Sequence, residues 1–503
     1  MAISVLSHRD ELGVKEGQLY IDGTWQDGSE GDTWTHVHPA TNEEVARFAV
    51  ASPADVDRAV RAARRAFDDT DWRFWKAKDR QALLRRIARL MADHADELVR
   101  LQVLDNGIPI SFGAIYQVSA DFAVDAFEYH AGWIDKIHGQ TLPTYTGSDF
   151  MVLTLKEPVG VVGAIIPWNA PVMLFAQKVA PALAAGCTVV MKPSEYASLA
   201  VFRMAELLEE AGVPQGVFNL VAGPGDPTGE ALITHPGVDK ITFTGSRAVG
   251  RRIMAAAADG IRRVSLELGG KSPNIIFPDV DVDATAGTVM GMVSMGLSGQ
   301  GCVCHTRALV HESIYDEMID KATQFAELMV IFGDPFDPGT TAGPIINQRQ
   351  VERVTGYIAK GSEEGARLVC GGDRPGGDLA AGNWVNPTLF ADVDNAMTIA
   401  REEIFGPVLA MIPFRDEEDA IRLANDTDYG LGASVHTNDV RRALRVARAV
   451  RAGSFGVNGY TVMPNAPFGG FKQSGLGREG GIEGFEAFLE TKTVTIALTN
   501  SPI

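Results

Sequence analysis

A cysteine, a glutamate and an asparagine stand in local settings that suit chemistry. Cys302 lies in Ser298-Gly-Gln-Gly-Cys-Val-Cys-His-Thr-Arg307, a glycine-rich loop ahead of the strand-like run Arg307-Ala-Leu-Val310. Glycines on both sides of Gln300 let the backbone approach a ligand closely and present the thiol on a turn, which makes it a candidate nucleophile. On the segment alone an inert, packed thiol is the better-favoured reading, since most cysteines of large proteins are of that kind. Glu267 sits in Leu266-Glu-Leu-Gly-Gly-Lys-Ser-Pro273, where desolvation would raise its pKa toward the range of a general base. A half-buried acid in an ion pair fits the same residues. Asn169, in Pro167-Trp-Asn-Ala-Pro171, offers a fixed amide donor suited to a developing oxyanion. A turn asparagine held by the flanking prolines is the plainer reading.

Three glycine patterns bear on nucleotide binding. Gly475-Leu-Gly477-Arg-Glu-Gly480 has the letters of a dinucleotide fingerprint, but polar Lys472-Gln-Ser474 precedes it where a strand is required. Gly269-Gly-Lys-Ser272 resembles the tail of a P-loop, yet Ser265 occupies the place of the first glycine. Phe243-Thr-Gly-Ser-Arg-Ala-Val-Gly250 is different, since it follows a predicted strand and opens a helix. Backbone amides there, with the Ser246 hydroxyl, suit a pyrophosphate. Met191-Lys-Pro-Ser-Glu195 places Lys192 and Glu195 at another strand's carboxyl end, where an acid suits ribose hydroxyls and repels a 2′-phosphate. A helix entry and a surface ion pair explain these two equally well.

The elements that must position these groups begin with Ser52-Pro-Ala-Asp55, a capping box with proline at the first helical position, followed by Val56, Val60, Ala63 and Phe67 at helical spacing. A second helix is predicted from about Lys78 to Leu101. From Pro158 short apolar runs alternate with helical patterns: Val161–Ile166, Thr188–Met191, Val217–Val221 and Lys240–Thr244. This alternation predicts a parallel sheet covered on both faces, with ligands at the carboxyl ends of its strands. A second series, Asn274–Phe277, Arg307–Val310, Leu368–Cys370, Val408–Pro413, Ala433–His436 and Ser454–Val457, predicts a second α/β unit and a cleft between two lobes. Leu153–Glu157 and Thr491–Leu498 read as an exposed β-ribbon, whose edges ask for pairing and so for a homo-oligomer.

Composition narrows the class. The 503 residues carry 46% hydrophobic and 22% charged side chains, an ordinary globular balance for roughly two to four domains. A net charge of −19 opposes nucleic acid and anionic lipid. The 4 cysteines do not form a secreted disulfide framework, and Met1–Asp10 lacks the pattern of a signal peptide. The longest apolar run, Val159 to Leu174, is broken by Pro167, Asn169 and Pro171. A soluble, cytoplasmic protein is expected.

Taken together, the Asn169 turn, Lys192 with Glu195, Gly245-Ser246, Glu267, the Cys302 loop, Glu402-Glu-Ile-Phe-Gly-Pro407 and Pro467-Phe-Gly-Gly-Phe-Lys-Gln-Ser-Gly-Leu-Gly-Arg-Glu479 occur in an order that resembles the aldehyde dehydrogenase superfamily. The resemblance runs from about Leu19 to Val494. It implies two doubly wound α/β lobes, one Rossmann-like and one catalytic, plus a small β-ribbon oligomerisation element. Residues 1–136 and 159–270 would bind NAD, 271–484 would form the catalytic domain, and 137–158 with 485–503 would join copies into a dimer or homotetramer.

The resemblance also implies roles. Cys302 would attack the aldehyde carbon, the Asn169 amide and the Cys302 backbone N–H would hold the oxyanion, and Glu267 would activate the water that hydrolyses the thioester. Lys178 and Glu479 match positions of a proton relay from that base. Lys192 and Glu195 would hold the adenosine ribose, Gly245 and Ser246 the pyrophosphate, and Glu403 the nicotinamide ribose. Phe405, Leu268, Ile166, Pro167 and Trp168 would line the cofactor's wall. Glu195 favours NAD over NADP, and Glu267 favours a free acid product, because relatives that transfer the acyl group to coenzyme A usually lack that glutamate. No metal is implied.

The same alignment places Phe122, Met173, Leu174, Gln177 and Gly301 in the substrate pocket, with Val303, Val462 and Phe468. Ala170, Gly296 and Leu297 would join them. Several positions that carry rings in small-aldehyde relatives are small or aliphatic here, and no arginine occurs in Pro167–Val179 or Asn458–Phe468. The expected substrate is an apolar, medium or bulky aliphatic or aromatic aldehyde. Cys304-His305 departs from the usual small residues. Cys304 is expected to pack, with a reversible disulfide to Cys302 as the alternative. His305, on the nucleophile's own loop, lacks the separate placement of a hydrolase base. The rival readings are a coenzyme A-acylating relative and a noncatalytic binding or structural protein on the same scaffold.

Overall fold

A computed structural model describes residues 3, 5–145 and 149–498 of the chain. Its larger sheet runs in the order Gly475–Leu476, Arg263–Glu267, Lys240–Thr244, Val161–Ile165, Thr188–Lys192, Phe218–Leu220, Leu19–Ile21, Thr24–Gln26. The strands from Arg263–Glu267 to Phe218–Leu220 pair in parallel. The outer pieces are antiparallel. The second sheet runs Arg367–Cys370, Thr388–Ala391, Val408–Phe414, Arg307–His311, Pro273–Ile276, Gly432–His436, Ser454–Val457. This is the expected second α/β unit, with one edge strand, Arg367–Cys370, running antiparallel to its neighbour. Only the tertiary path decides strand direction at an edge.

Burial explains why the runs are so apolar. Ile275 and Leu309 face one core cluster of the second sheet while their chain neighbours Ile276 and Val310 face another. With side chains alternating across the pleat, a sheet covered on both sides needs apolar residues at successive positions. Each such side chain contributes roughly 1.5–3 kcal/mol when fully buried.

The capping box at Ser52 forms as expected. The Ser52 hydroxyl accepts from the Asp55 N–H at 3.2 Å, the Asp55 carboxylate accepts from the Ser52 N–H at 2.9 Å, and the helix runs Pro53–Asp68. The long helix predicted from Lys78 to Leu101 is instead two, Ala77–Asp93 and Ala95–Asn106, joined at His94. His94 Nδ1 lies 2.7 Å from Glu97, and Arg203 of a separate helix donates to Glu97 at 3.0 Å. This long-range contact braces the junction at His94, which periodicity does not encode.

The ribbon forms from Phe150–Pro158 and Leu489–Ala497, paired antiparallel along their full length. Residues 146–148 and 499–503 of the expected oligomerisation element lie outside the described residues, as do residues 1, 2 and 4 at the amino terminus. No helix among the described residues is long and apolar enough to cross a membrane.

Candidate active site

The two sheets meet end to end in an unequal way. The larger sheet contributes the carboxyl ends of its strands, carrying the Asn169 turn, Lys192, Gly245-Ser246 and Glu267. The second contributes amino ends, since the Cys302 loop precedes the Arg307–His311 strand and Glu403–Phe405 precede Val408–Phe414. The reason is chain economy. Strand Arg263–Glu267 passes through Leu268-Gly-Gly-Lys-Ser272 directly into strand Pro273–Ile276, with no helix to turn it back.

The cysteine loop is pinned by Gln300. Its Nε2 donates to the carbonyls of Leu297 at 2.8 Å and Pro344 at 2.9 Å, and its Oε1 accepts from the Ile346 N–H at 2.9 Å. The Ser298 hydroxyl donates to the Gly343 carbonyl at 2.6 Å. Gly299 has φ +71°, and a Cβ there would collide with the Gly406 carbonyl oxygen. Its glycine thus serves close approach to protein backbone, a correction to the expected approach to ligand. Gly301, by contrast, has only the Cys304 sulfur against an imagined Cβ.

Asn169 reaches this loop from the other sheet, its Nδ2 donating to the Gln300 carbonyl at 3.1 Å. A primary amide has two N–H donors, so one remains for an incoming oxygen. The Asn169 turn is itself held by Asn106, whose Nδ2 donates to the carbonyls of Trp168 at 3.0 Å and Asn169 at 3.3 Å. Neither Asn106 nor Gln300's anchoring was expected from the sequence, and no local signal marks Asn106.

Cys302 is half-buried, and burial above all pushes its thiol well above the usual value, with the charges of Glu403 and Glu267 adding to this. Glu267 is 3% exposed, and its Oε2 has no hydrogen-bond partner. Burial, then the charge of Glu479, raises its carboxyl well above the ordinary carboxylate range against the pull of Lys178 and Arg478. Lys178 and Glu479 form a buried ion pair, and the Thr242 hydroxyl lies 3.2 Å from the Lys178 ammonium and 3.3 Å from the Glu479 carboxylate. The expected relay positions therefore sit together beside Glu267.

On the nucleotide side, Lys192 is buried, donates to the Pro193 carbonyl at 3.0 Å and stands 3.8 Å from Glu195. Burial lowers its pKa, and Glu195 opposes that. Ser246 caps the Arg247–Asp259 helix by accepting from the Val249 N–H at 3.4 Å, which leaves its own proton free to donate. The Gly245 N–H donates to the Glu267 carbonyl at 3.0 Å. Leu268 is buried; its N–H donates to the Ser474 carbonyl at 2.8 Å, so only its side chain and carbonyl remain for a ligand. The Ile166 N–H bonds the Lys192 carbonyl at 3.1 Å, locking the start of the Pro167-Trp168 turn.

Trp168 and Phe405 meet edge to face, ring centroids 5.5 Å apart. Phe405 takes φ +63°, and Gln350 donates to its carbonyl at 2.8 Å. The Glu403 carboxylate accepts from the Gly270 N–H at 3.2 Å, and desolvation pushes its pKa up to about 7. At Gly269 an added Cβ would meet that same carboxylate, so the bare glycine lets Glu403 lie against the strand link.

The expected pocket residues divide by exposure. Phe122 is sealed, with Leu174, Gln177, Val462 and Phe468 buried, while Met173, Gly301 and Val303 are partly exposed. Ala170 and Gly296 are buried, and Leu297 is partly exposed in the loop before Cys302. Cys304 Sγ packs on the Met292 carbonyl at 3.4 Å, and the His305 ring lies between Met292 and Tyr460. Burial lowers His305 to about 4, so it stays neutral. The two decoys behave as such: Gly475–Leu476 pairs antiparallel with Leu266 and Glu267, and Lys271 is buried in a link between strands with no helix after it.

This geometry has relatives. The aldehyde dehydrogenase family profile matches residues 25–494. Aldehyde dehydrogenase 1 of Tanacetum cinerariifolium is 47% identical over 492 residues, 97% of each chain. The crystal structure of an NAD-dependent aldehyde dehydrogenase from Sinorhizobium meliloti superposes with a TM-score of 0.93 at 41% identity, covering 98% of this chain and 97% of that one. Betaine aldehyde dehydrogenase from Staphylococcus aureus, crystallised with NAD+, gives 0.96 at 36% identity over 99% and 98%. With an aldehyde dehydrogenase match over nearly its full length and the family's motifs gathered at one junction of two sheets, this chain belongs to the aldehyde dehydrogenase family.

Proposed function

We propose that this chain oxidises an uncharged, medium or bulky aliphatic or aromatic aldehyde to the free carboxylic acid with NAD, through a thioester on Cys302. The observation that carries the reading is the convergence of three groups: a half-buried thiol, the Asn169 amide bonded to the same loop, and Glu267 with an unpartnered carboxylate oxygen.

The residues present fit a dinucleotide. The Ser246-capped helix start offers N–H groups and a free hydroxyl proton to a pyrophosphate. Glu195 suits ribose hydroxyls and disfavours a 2′-phosphate, so NADP is the weaker ligand. Glu403, whose carboxylate accepts from the Gly270 N–H beside the Trp168–Phe405 wall, would hold the nicotinamide ribose. Bound NAD supplies a two-electron acceptor for the hydride that leaves the former aldehyde carbon.

Cys302 sulfur adds to that carbon, its proton passing to base or water, and the new C–S bond gives a thiohemiacetal whose oxyanion takes the spare Asn169 N–H and the Cys302 backbone N–H. Loss of hydride leaves the thioester. Glu267 removes a proton from water, the hydroxide displaces sulfur, and acid and thiolate result. The sum is aldehyde, NAD+ and water giving carboxylate, NADH and two protons. Lys178 and Glu479 receive the proton that Glu267 must shed each turn. A base set apart from the thiol supports hydrolysis over transfer to coenzyme A.

Residues 1–136 and 159–270 form the cofactor domain in this reading, 271–484 the catalytic domain, and the ribbon of 137–158 with 485–503 joins copies into a dimer or tetramer. Cys302→Ala tests the core claim. Aldehyde-dependent formation of reduced nicotinamide should vanish while NAD binding, followed by tryptophan quenching, persists; surviving turnover overturns the assignment.

A further inference from the structure

Gln177 lies on the Pro171–Ala185 helix, one turn after Met173 and just before Lys178. Every residue of that helix is buried except Met173, which is partly exposed. Residues four apart share a helix face, so Gln177 lies on one stripe with Met173, the helix's partly exposed residue, one turn nearer the Asn169 turn. Gln177 is 3% exposed, and neither its Nε2 nor its Oε1 has a hydrogen-bond partner.

A buried primary amide with both ends unpaired is a cost with no structural return, and leucine would serve the packing better. On this side of the junction the other buried side-chain oxygens without partners include Glu267 Oε2 and Glu479 Oε2, both already tied to the proposed chemistry. We propose that Gln177 selects the substrate by bonding a neutral hydroxyl, ether or carbonyl group carried at the far end of the aldehyde. The inference rests on the proposed function and refines its substrate class to an apolar body with one polar handle.

Neutrality follows from the neighbours. An amide offers a donor and an acceptor, which a hydroxyl satisfies together, whereas a carboxylate needs a cation, and Lys178 is committed to Glu479. The reach follows from helix rise. Residue 177 stands six residues beyond the helix's first, roughly 9 Å along the axis, so the handle belongs across a ring or at the end of a comparable chain.

The test compares kcat/KM for two matched pairs: cinnamaldehyde with its para-hydroxy derivative, and a straight-chain aldehyde with its terminal-hydroxy derivative. Wild type should prefer at least one hydroxylated member by about 10-fold or more, because pairing the amide is worth one good hydrogen bond. Gln177→Leu should bring that ratio to about one and leave thermal stability equal or higher; should it fail to fold, Gln177→Met carries the same comparison. Wild-type ratios near one with all four aldehydes oxidised overturn this inference alone, as does a preference that survives the substitution. If no aldehyde is oxidised, the proposed function falls and takes this inference with it.

Discussion

Truncating Gln300 to alanine should cost this protein more than any other single change on the loop outside Cys302 itself. The side chain makes three hydrogen bonds, to Leu297, Pro344 and Ile346, all within 2.8–2.9 Å. At a net ~0.5–1.5 kcal/mol each they contribute about 3 kcal/mol together, and the Ile346 N–H and Pro344 carbonyl left buried and unpaired add to the loss. The same loop carries the carbonyl that Asn169 grips, so its relaxation moves thiol and oxyanion donor apart. A displacement of about 1 Å between reacting groups lowers turnover by roughly 10²-fold. Steady-state formation of reduced nicotinamide, the alkylation rate of Cys302 and the thermal unfolding temperature should all change, with alkylation faster as the loop loosens. Turnover and alkylation at wild-type rates in Gln300→Ala would refute the view that this side chain positions the nucleophile.

Two further expectations rest on the same junction. Glu267 has a raised carboxyl pKa in the folded chain, so between the ordinary carboxylate value and the raised one the folded state holds a proton that the unfolded state has released. Stability must then fall as pH rises through that window, and Glu267→Gln should unfold at a higher temperature than wild type above it, the gap closing toward acid pH; a gap that widens toward acid contradicts burial as the cause. Gly299→Ala forces a Cβ onto the Gly406 carbonyl at φ +71°, and about 1 kcal/mol of backbone strain plus that clash should lower both stability and turnover, measured by unfolding and by initial rates, whereas a silent substitution would show the loop to be loosely seated.

Much of the fold was legible because periodicity and capping act locally. The Ser52 box, the strand Lys240–Thr244 and the ribbon of Phe150–Pro158 with Leu489–Ala497 are all readable from runs of neighbouring residues. The break at His94 was not, and the junction there is braced by Arg203, more than a hundred residues away. The site was legible as residue types and order, which carry chemical capability. Its cross-braces were not, since the Asn169–Gln300 bond spans 131 residues and the Lys178–Glu479 pair spans 301.

By itself, then, the sequence determined two layered α/β units, a thiol on a tight loop, an acid in apolar surroundings and an amide between prolines. Only the tertiary structure decided that carboxyl strand ends of one sheet face amino ends of the other, that Gln300 and Asn106 hold the loop and turn, and that Gln177 is buried with nothing to bond. Local pattern records which face of an element avoids water. Which polar atom is paired, and which is left waiting, depends on partners brought in from distant stretches of chain.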